Sequence, residues 1–304
     1  MKTKLLLLLF CFPMLGAMGQ GTISRNKCKI CGKVVSQCPY KGKHSKQEPA
    51  TKPKTTPKSK PKPTPAPRVS ATYQKKYFEV GNVQFAMMPV DGGTFTMGAT
   101  SEMTAPNDDE KPTHQVTLSS YYIGETEVTQ ALWKAVMGSN PSHFKGDDLP
   151  VEFVSWNYCQ TFISKLNELT GQHFRLPTEA EWEFAARGGN QSRHTQYSGS
   201  SRIDDVAWYE DNSVNKTHPV KSKQPNELGI YDMAGNVWEW CQDWKGSYSS
   251  SAQTNPTGSS SGSNRVKRGG SYDDSPRRCC SSYRLSYSPN CVSYGLGLRL
   301  VLSE

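Results

Sequence analysis

A segment that cannot bury a hydrophobic core divides this chain and limits where a fold can form. Ser45–Arg68 reads SKQEPATKPKTTPKSKPKPTPAPR. Its prolines remove backbone donors and fix φ, and its lysines repel one another, so we expect an extended, semi-rigid linker over residues 45–76. The sizeable core must therefore form in residues 77–304, a stretch long enough for one domain.

The positive charge of the chain lies before this core-forming part. The net charge is +9, but residues 1–68 hold 15 Lys and Arg and one acidic residue, Glu48. The remainder holds 21 basic and 26 acidic residues. Because the basic stretch Ser45–Arg68 contains no aromatic residue, a solvated spacer is favoured over a nucleic-acid-binding surface. We predict no nucleic-acid partner.

The N-terminus has the pattern of a secretory signal. Lys2 and Lys4 precede the apolar run Leu5–Phe12, and Ala17-Met18-Gly19 offers small residues at cleavage spacing. The run is shorter than the ~20 residues that a membrane-spanning helix needs. We predict a signal peptide over residues 1–19, an extracytoplasmic mature protein and no transmembrane segment after cleavage; a retained anchor is the alternative.

A small cysteine-bearing head follows the signal, over residues 20–44. Its Cys28, Cys31, Cys38 and His44 match a tetrahedral zinc set in type and number. An oxidising compartment favours disulfides instead, with one of the three cysteines left over. The head is too small to fold without a cross-link, and both a zinc ion and a disulfide remain possible cross-links.

The core-forming part mixes strands and helices and is rich in loops. Phe85–Pro89 and Thr94–Met97 predict a hairpin, and Gln115–Ile123 predicts another strand. Apolar spacing and a capping box at Thr178 predict helices over Thr129–Met137, over Ser155–Leu169 and through Ala186. This is not the alternation of a parallel βαβ sheet, so we predict an α+β domain.

Seven motifs dense in Trp, Gly and charged residues run through this domain. They read MPVDGGTFTMG at Met88–Gly98, ETEVT at Glu125–Thr129, PVEFVSW at Pro150–Trp156, RLPTEAEWEFAARGG at Arg175–Gly189, LGIYDMAGNVWEW at Leu228–Trp240, RVKRGGSY at Arg265–Tyr272 and GLGLRLV at Gly295–Val301. In these motifs the domain resembles the sulfatase-modifying-factor family, that is, the formylglycine-generating enzyme domain. The resemblance implies a loop-rich variant of the C-type-lectin-like fold over residues 77–304.

Active members of that family oxidise a sulfatase cysteine to formylglycine with molecular oxygen. They hold copper(I) between two cysteines soon after the GGSY motif, and the resemblance places these at Asp274 and Cys279. A carboxylate is a hard ligand, whereas Cu(I) prefers soft thiolates. The family's substrate-positioning asparagine falls on Gly295.

Other residues keep the resemblance to the family's substrate pocket. The resemblance implies a substrate-binding role for Trp238, Ser271 and Arg284. Cys279 and Cys280 are adjacent and could form a substitute catalytic pair.

The sequence around Cys279 and Cys280 supports two interpretations. The neighbouring arginines Arg277 and Arg278 would lower a thiol pKa. Neighbours in an extended segment point to opposite faces, however, so one buried or bonded cysteine beside an incidental thiol is the alternative. With Cys159, Cys241 and Cys291 the domain has five cysteines, for which we expect one or two disulfides.

A calcium site is the second cofactor that the resemblance implies, at Asp232, Gly235, Val237 and Glu239. Two carboxylates with backbone carbonyls on a tight turn form a ligand set of the Ca²⁺ type. The alternative is that the two acids cap a turn beside the tryptophans.

Two functions remain open. The first is an exported binding or assembly module, lacking the intact catalytic cysteine pair, with a protein, peptide or glycan partner. The second is a copper-dependent oxidase that converts a sulfatase cysteine to formylglycine. Asp274 and Gly295 favour the first, because they occupy the two positions that the oxidation most needs, and a fold does not fix a function.

Overall fold

The computed structural model describes residues 74–303. The predicted signal, most of the linker, and the head with Cys28, Cys31, Cys38 and His44 lie outside the described residues. Among the residues described, no helix has the length and apolar character to cross a membrane.

Strands of the described part form three sheets. They are β1 Lys76–Val80, β2 Val83–Val90, β3 Gly93–Met97, β4 His114–Leu118, β5 Tyr121–Gly124, β6 Phe174–Arg175, β7 Trp238–Trp244, β8 Gln253–Thr254, β9 Arg265–Arg268, β10 Arg284–Tyr287, β11 Leu296–Leu298 and β12 Val301–Ser303. The sheet orders are β1-β2-β5-β12-β6, β10-β9-β7-β11 and β3-β4-β8. The chain therefore returns late in the sequence to complete sheets begun early.

The three helix predictions are confirmed. The helices are α1 Gln130–Met137, α2 Trp156–Thr170, α3 Glu179–Ala186 and a short α4 Ile203–Val206. The side chains of Thr129 and Ser155 accept backbone N–H groups at the starts of α1 and α2, and Thr178 with Glu181 forms the predicted capping box of α3. Short 3-10 helices cover Asp108–Glu110, Gly189–Gln191 and Pro276–Cys279.

Two strand predictions differ from the structure. β2 and β3 do not form a hairpin, because β2 pairs with β1 and β5 whereas β3 pairs with β4. The predicted strand Gln115–Ile123 breaks at Ser119-Ser120 into β4 and β5, which lie in different sheets. The chain passes from one sheet to another both between β2 and β3 and between β4 and β5. These two connections contact each other where the Gly92 N–H donates to Ser120 Oγ at 3.0 Å. Local alternation predicts strands but not the sheet to which each belongs.

Helix α3 lies in the protein interior and is buried along its whole length. Two of its three acidic residues are buried with arginine partners from the β10-β9-β7-β11 sheet: Arg268 binds Glu183, and Arg284 binds Glu179. Buried charges need such partners, since an unpaired one would be costly to desolvate. The pairs fix α3 against the sheet that carries the candidate site.

Candidate functional site

Trp238 and Ser271 converge on the carboxylate of Asp274. Trp238 opens β7 and its indole Nε1 donates to Asp274 Oδ2 at 2.6 Å. Ser271 follows β9 after Gly269-Gly270, and its Oγ lies within hydrogen-bonding distance of the same Oδ2 and at 2.7 Å from Asp273 Oδ1. The structure therefore brings together two of the three predicted substrate-binding residues.

The same carboxylate has a third partner. Arg278 Nη1 donates to Asp274 Oδ1 at 2.6 Å, and the carboxylate is only 5 % exposed. Three donors thus converge on a buried carboxyl group. Asp274 stands at the position that the resemblance gives to a metal-binding cysteine.

Cys279 is buried and is not activated. It ends the 3-10 helix Pro276–Cys279, and a Cβ on Gly270 would fall 2.8 Å from its Sγ. Burial raises the pKa of the Cys279 thiol well above its usual value, and the charge of Asp274 acts in the same direction. The thiol therefore stays protonated at neutral pH.

Arg277 lowers the pKa of the Cys280 thiol, as expected, but burial outweighs this effect. Arg278 is paired with Asp274, and Arg277 is also paired with Glu110. Burial also raises the pKa of the Cys280 thiol, even though Gln196 Nε2 approaches its Sγ at 3.3 Å. Both thiols are therefore buried and have raised pKa values.

Gly295 fits tightly beside Ser271. A Cβ at position 295 would lie 2.9 Å from the Ser271 Cβ and 3.4 Å from Asp273 Oδ1. An asparagine here would therefore displace the serine or the aspartate. The residue at position 295 is therefore sterically coupled to Ser271 and Asp273.

Copper(I) does not fit the residues at this site. Asp274 offers hard oxygens that already accept three donors, and Cys279 is held as a neutral thiol. Cu(I) binding needs a pair of soft thiolates. The described residues supply no such pair here.

Arg284 lies away from Asp274, at the start of α3. Its Nε and Nη2 bind Glu179 at 2.7 and 2.5 Å. Its Nη1 binds the carbonyls of Asp109 and Gly246, both at 3.0 Å. All of these donors are used inside the protein, so the structure gives Arg284 a role in packing α3 and not in the Asp274 site.

The predicted calcium residues lie in the turn that enters β7. Asp232, in the left-handed region with φ +57°, accepts the Lys221 backbone N–H at 2.8 Å. Glu239 accepts the Arg299 guanidinium at 2.7–3.0 Å and the Trp182 indole N–H at 2.6 Å. The carbonyls of Gly235 and Val237 would add backbone ligands.

Glu127 is a further residue of this region that the sequence reasoning missed. It is 2 % exposed, and neither carboxyl oxygen has a hydrogen-bond partner among the described residues. Burial raises its pKa well above the usual value, and the charges of Asp232 and Glu239 raise it further. Three buried carboxyls thus lie around Arg299, and Lys221 also acts on Asp232.

The unpartnered carboxyl oxygens of Glu127 are the observation that would suit a divalent cation. Within residues 74–303, no three His, Cys, Asp or Glu side chains converge at metal-binding distance, so backbone carbonyls of Gly235 and Val237 would have to complete a site. The sequence signal for Glu127 was an acid beside Val128 in the ETEVT motif, which the prediction did not use.

The disulfides expected in the domain are not formed in the part that the structure describes. Cys159, Cys241, Cys279 and Cys280 are buried free thiols, and Cys291 is an exposed one. The buried cysteines pack as small apolar side chains in the two hydrophobic clusters.

The loop-rich α+β fold and the contact of Trp238 with the loop after GGSY define a domain of the formylglycine-generating-enzyme type. A family model described as the sulfatase-modifying factor enzyme 1-like domain matches residues 77–304, and the chain belongs to this family. The expected fold class, an α+β variant of the C-type-lectin-like fold, is confirmed.

Known proteins that are similar to this chain have names that describe different functions. A chaperone protein LppX of Paenibacillus barcinonensis is 36 % identical over 239 residues, covering 62 % of this chain and 82 % of its own. A formylglycine-generating enzyme of Streptomyces coelicolor is 32 % identical over 280 residues, covering 68 % and 86 %. The solved structure of Treponema denticola variable protein 1 has a TM-score of 0.70 and 36 % identity, covering 77 % and 100 %.

Proposed function

We propose that this chain is an exported binding or assembly module that uses the family scaffold without its oxidation chemistry. The observation that carries the proposal is Asp274, a buried carboxylate bound by Trp238, Ser271 and Arg278. Asp274 replaces one of the two thiolates that would bind copper, and its carboxylate accepts the hydrogen bonds of the surrounding side chains. The other cysteine, Cys279, is kept neutral by burial.

The partner is a protein, peptide or glycan outside the cytoplasm. Export rests on the basic start and apolar run of residues 1–19. A relative named as a chaperone protein supports an assembly role for the scaffold. Residues that serve an enzyme's pocket can bind a partner once the reactive group is replaced, because function lies in the site and not in the fold.

Cu(I) binding tests the loss of the copper centre. Reduced full-length protein is titrated with Cu(I) against a chromogenic chelator, for the wild type and for Cys279→Ser. We expect equal copper stoichiometry, because any copper bound elsewhere by the other cysteines is the same in both. A loss of one equivalent of tightly bound copper in Cys279→Ser alone would show that Cys279 is a ligand and would overturn the proposal.

A further inference from the structure

A cavity of about 250 Å³ lies at the start of α3. Neither Trp238, Ser271 nor Asp274 lines it. Its walls include Met97, His114, Glu179, Asp243, Trp244 and Tyr248. The cavity therefore combines apolar and aromatic surface with ionisable groups, as small-molecule sites do.

Asp243 presents a free carboxyl oxygen to this cavity. The residue is near the end of β7 and is 3 % exposed. Its Oδ2 accepts the backbone N–H of Glu179 at 2.9 Å, and its Oδ1 has no hydrogen-bond partner among the described residues. Gly258, at φ +77°, passes so close that a Cβ there would lie 2.8 Å from Oδ1.

The acidic and basic side chains around the cavity other than Asp243 and His114 are already paired. Arg284 binds Glu179 at 2.5 Å, and Lys245 binds Asp109 at 2.6 Å. Within the described chain, Asp243 has no Lys, Arg or His partner at ion-pair distance. Its carboxyl is thus the uncompensated acid of the cavity.

Burial raises the pKa of Asp243 to about 8, and the negative charge of Glu179 also raises it. The titratable groups that face it from neighbouring elements are Glu179 and Glu181 of α3, Arg284 of β10, Arg265 of β9, Arg175 of β6, Cys241 of β7 and His114 of β4. None of the arginines in this set, and not His114, lies close enough to form an ion pair with Asp243.

We propose that this cavity binds an organic cation of the primary ammonium or guanidinium class, with its nitrogen on Asp243 Oδ1. A metal ion is a poorer occupant, because one free carboxylate oxygen is far fewer ligands than Ca²⁺ or Mg²⁺ takes. The indole of Trp244 and the thioether of Met97 suit the alkyl part of such a ligand. This site is separate from the Asp274 site and does not depend on the function proposed for it.

Calorimetry with a defined probe tests the site. Full-length protein is titrated with n-butylguanidinium and n-butylammonium at pH 7, in two buffers of different ionisation enthalpy. We expect binding that releases about one proton, because the cation ionises the Asp243 carboxyl. A Gly-Arg-Gly peptide is the probe of a second arm. Peptide binding as tight as that of butylguanidinium would mean that the cation belongs to a protein partner. Binding of the small ions alone would mean that the cation is a free metabolite.

Variants decide whether Asp243 is the receptor. Asp243→Asn should weaken probe binding at least about tenfold and abolish proton release. Asp147→Asn, which removes an exposed carboxylate paired with Lys134, should leave both unchanged. If Asp243→Asn does not fold, Gly258→Ala provides a second variant that crowds Oδ1 and should also weaken binding. No binding of any probe, or equal binding to wild type and to the folded variant, would overturn the proposal.

Discussion

The indole N–H of Trp238 donates to Oδ2 of Asp274 at 2.6 Å, joining the first residue of β7 to the loop after GGSY. Both side chains are buried, so the bond is shielded from water. The indole donor is thereby satisfied inside the protein.

Removing Asp274 should destabilise the domain. Asp274→Ala leaves the Trp238 N–H buried without its acceptor, and an unsatisfied buried polar group costs about 1–3 kcal/mol. Asp273→Ala removes an exposed carboxylate and should change the free energy of unfolding by less than about 0.5 kcal/mol. Urea denaturation of both variants checks this. Equal effects of the two substitutions would show that the Trp238 contact does not stabilise the fold.

The cysteines should differ sharply in reactivity. Cys291 is exposed, whereas Cys279 is buried with a raised thiol pKa. Since the thiolate is the nucleophile, iodoacetamide should label Cys279 at least about tenfold more slowly than Cys291 at pH 8. Peptide mapping of native protein measures both rates, and unfolded protein provides the control in which they converge. Native labelling of Cys279 at the rate of Cys291 would contradict the burial argument.

We propose that calcium stabilises the turn between Asp232 and Glu239. Bound at 100 times its Kd, an ion adds about 2.7 kcal/mol, which corresponds to roughly 5–10 °C in Tm for a domain of this size. Glu127→Gln should reduce this gain, because it removes the orphaned carboxylate. Glu125→Gln is the matched control, since Glu125 is paired with Lys75 and Lys221. The same Tm with calcium and with chelator would count against the site.

Asp243 should make stability depend on pH. Its folded pKa of about 8 lies above the ordinary 3.8, so the folded state holds a proton that the unfolded state releases above pH 4. Stability therefore falls as pH rises from about 4 to 8, by up to ~1.4 kcal/mol per pH unit. Asp243→Asn should flatten this fall between pH 5 and 7 in urea denaturation. An unchanged slope in the variant would mean that Asp243 is ionised in the folded protein.

The sequence predicted local structure better than long-range pairing. The cap residues Thr129, Ser155 and Thr178 mark three helices correctly, because capping acts within one turn. The pairing of β12 with β5 and β6, or of β11 with β7, joins residues far apart in the chain. No local pattern specifies such pairings.

The site was predictable to the same limited extent. The motifs placed Trp238 and Ser271 together, and spacing from Tyr272 identified Asp274. Burial decides the rest: it keeps Cys279 neutral and leaves Glu127 without a partner. Desolvation and ion pairing depend on the packed interior, and neither can be read along the chain.

Formylglycine formation tests the central claim most directly. Reduced full-length protein, loaded with Cu(I) in the presence of oxygen, is incubated with a cysteine peptide of the sulfatase motif, beside the Streptomyces coelicolor enzyme as positive control. Mass spectrometry of the peptide should show conversion by the control and none by this protein. Conversion of the peptide's cysteine to formylglycine by the wild type, abolished in Cys279→Ser, would contradict the account.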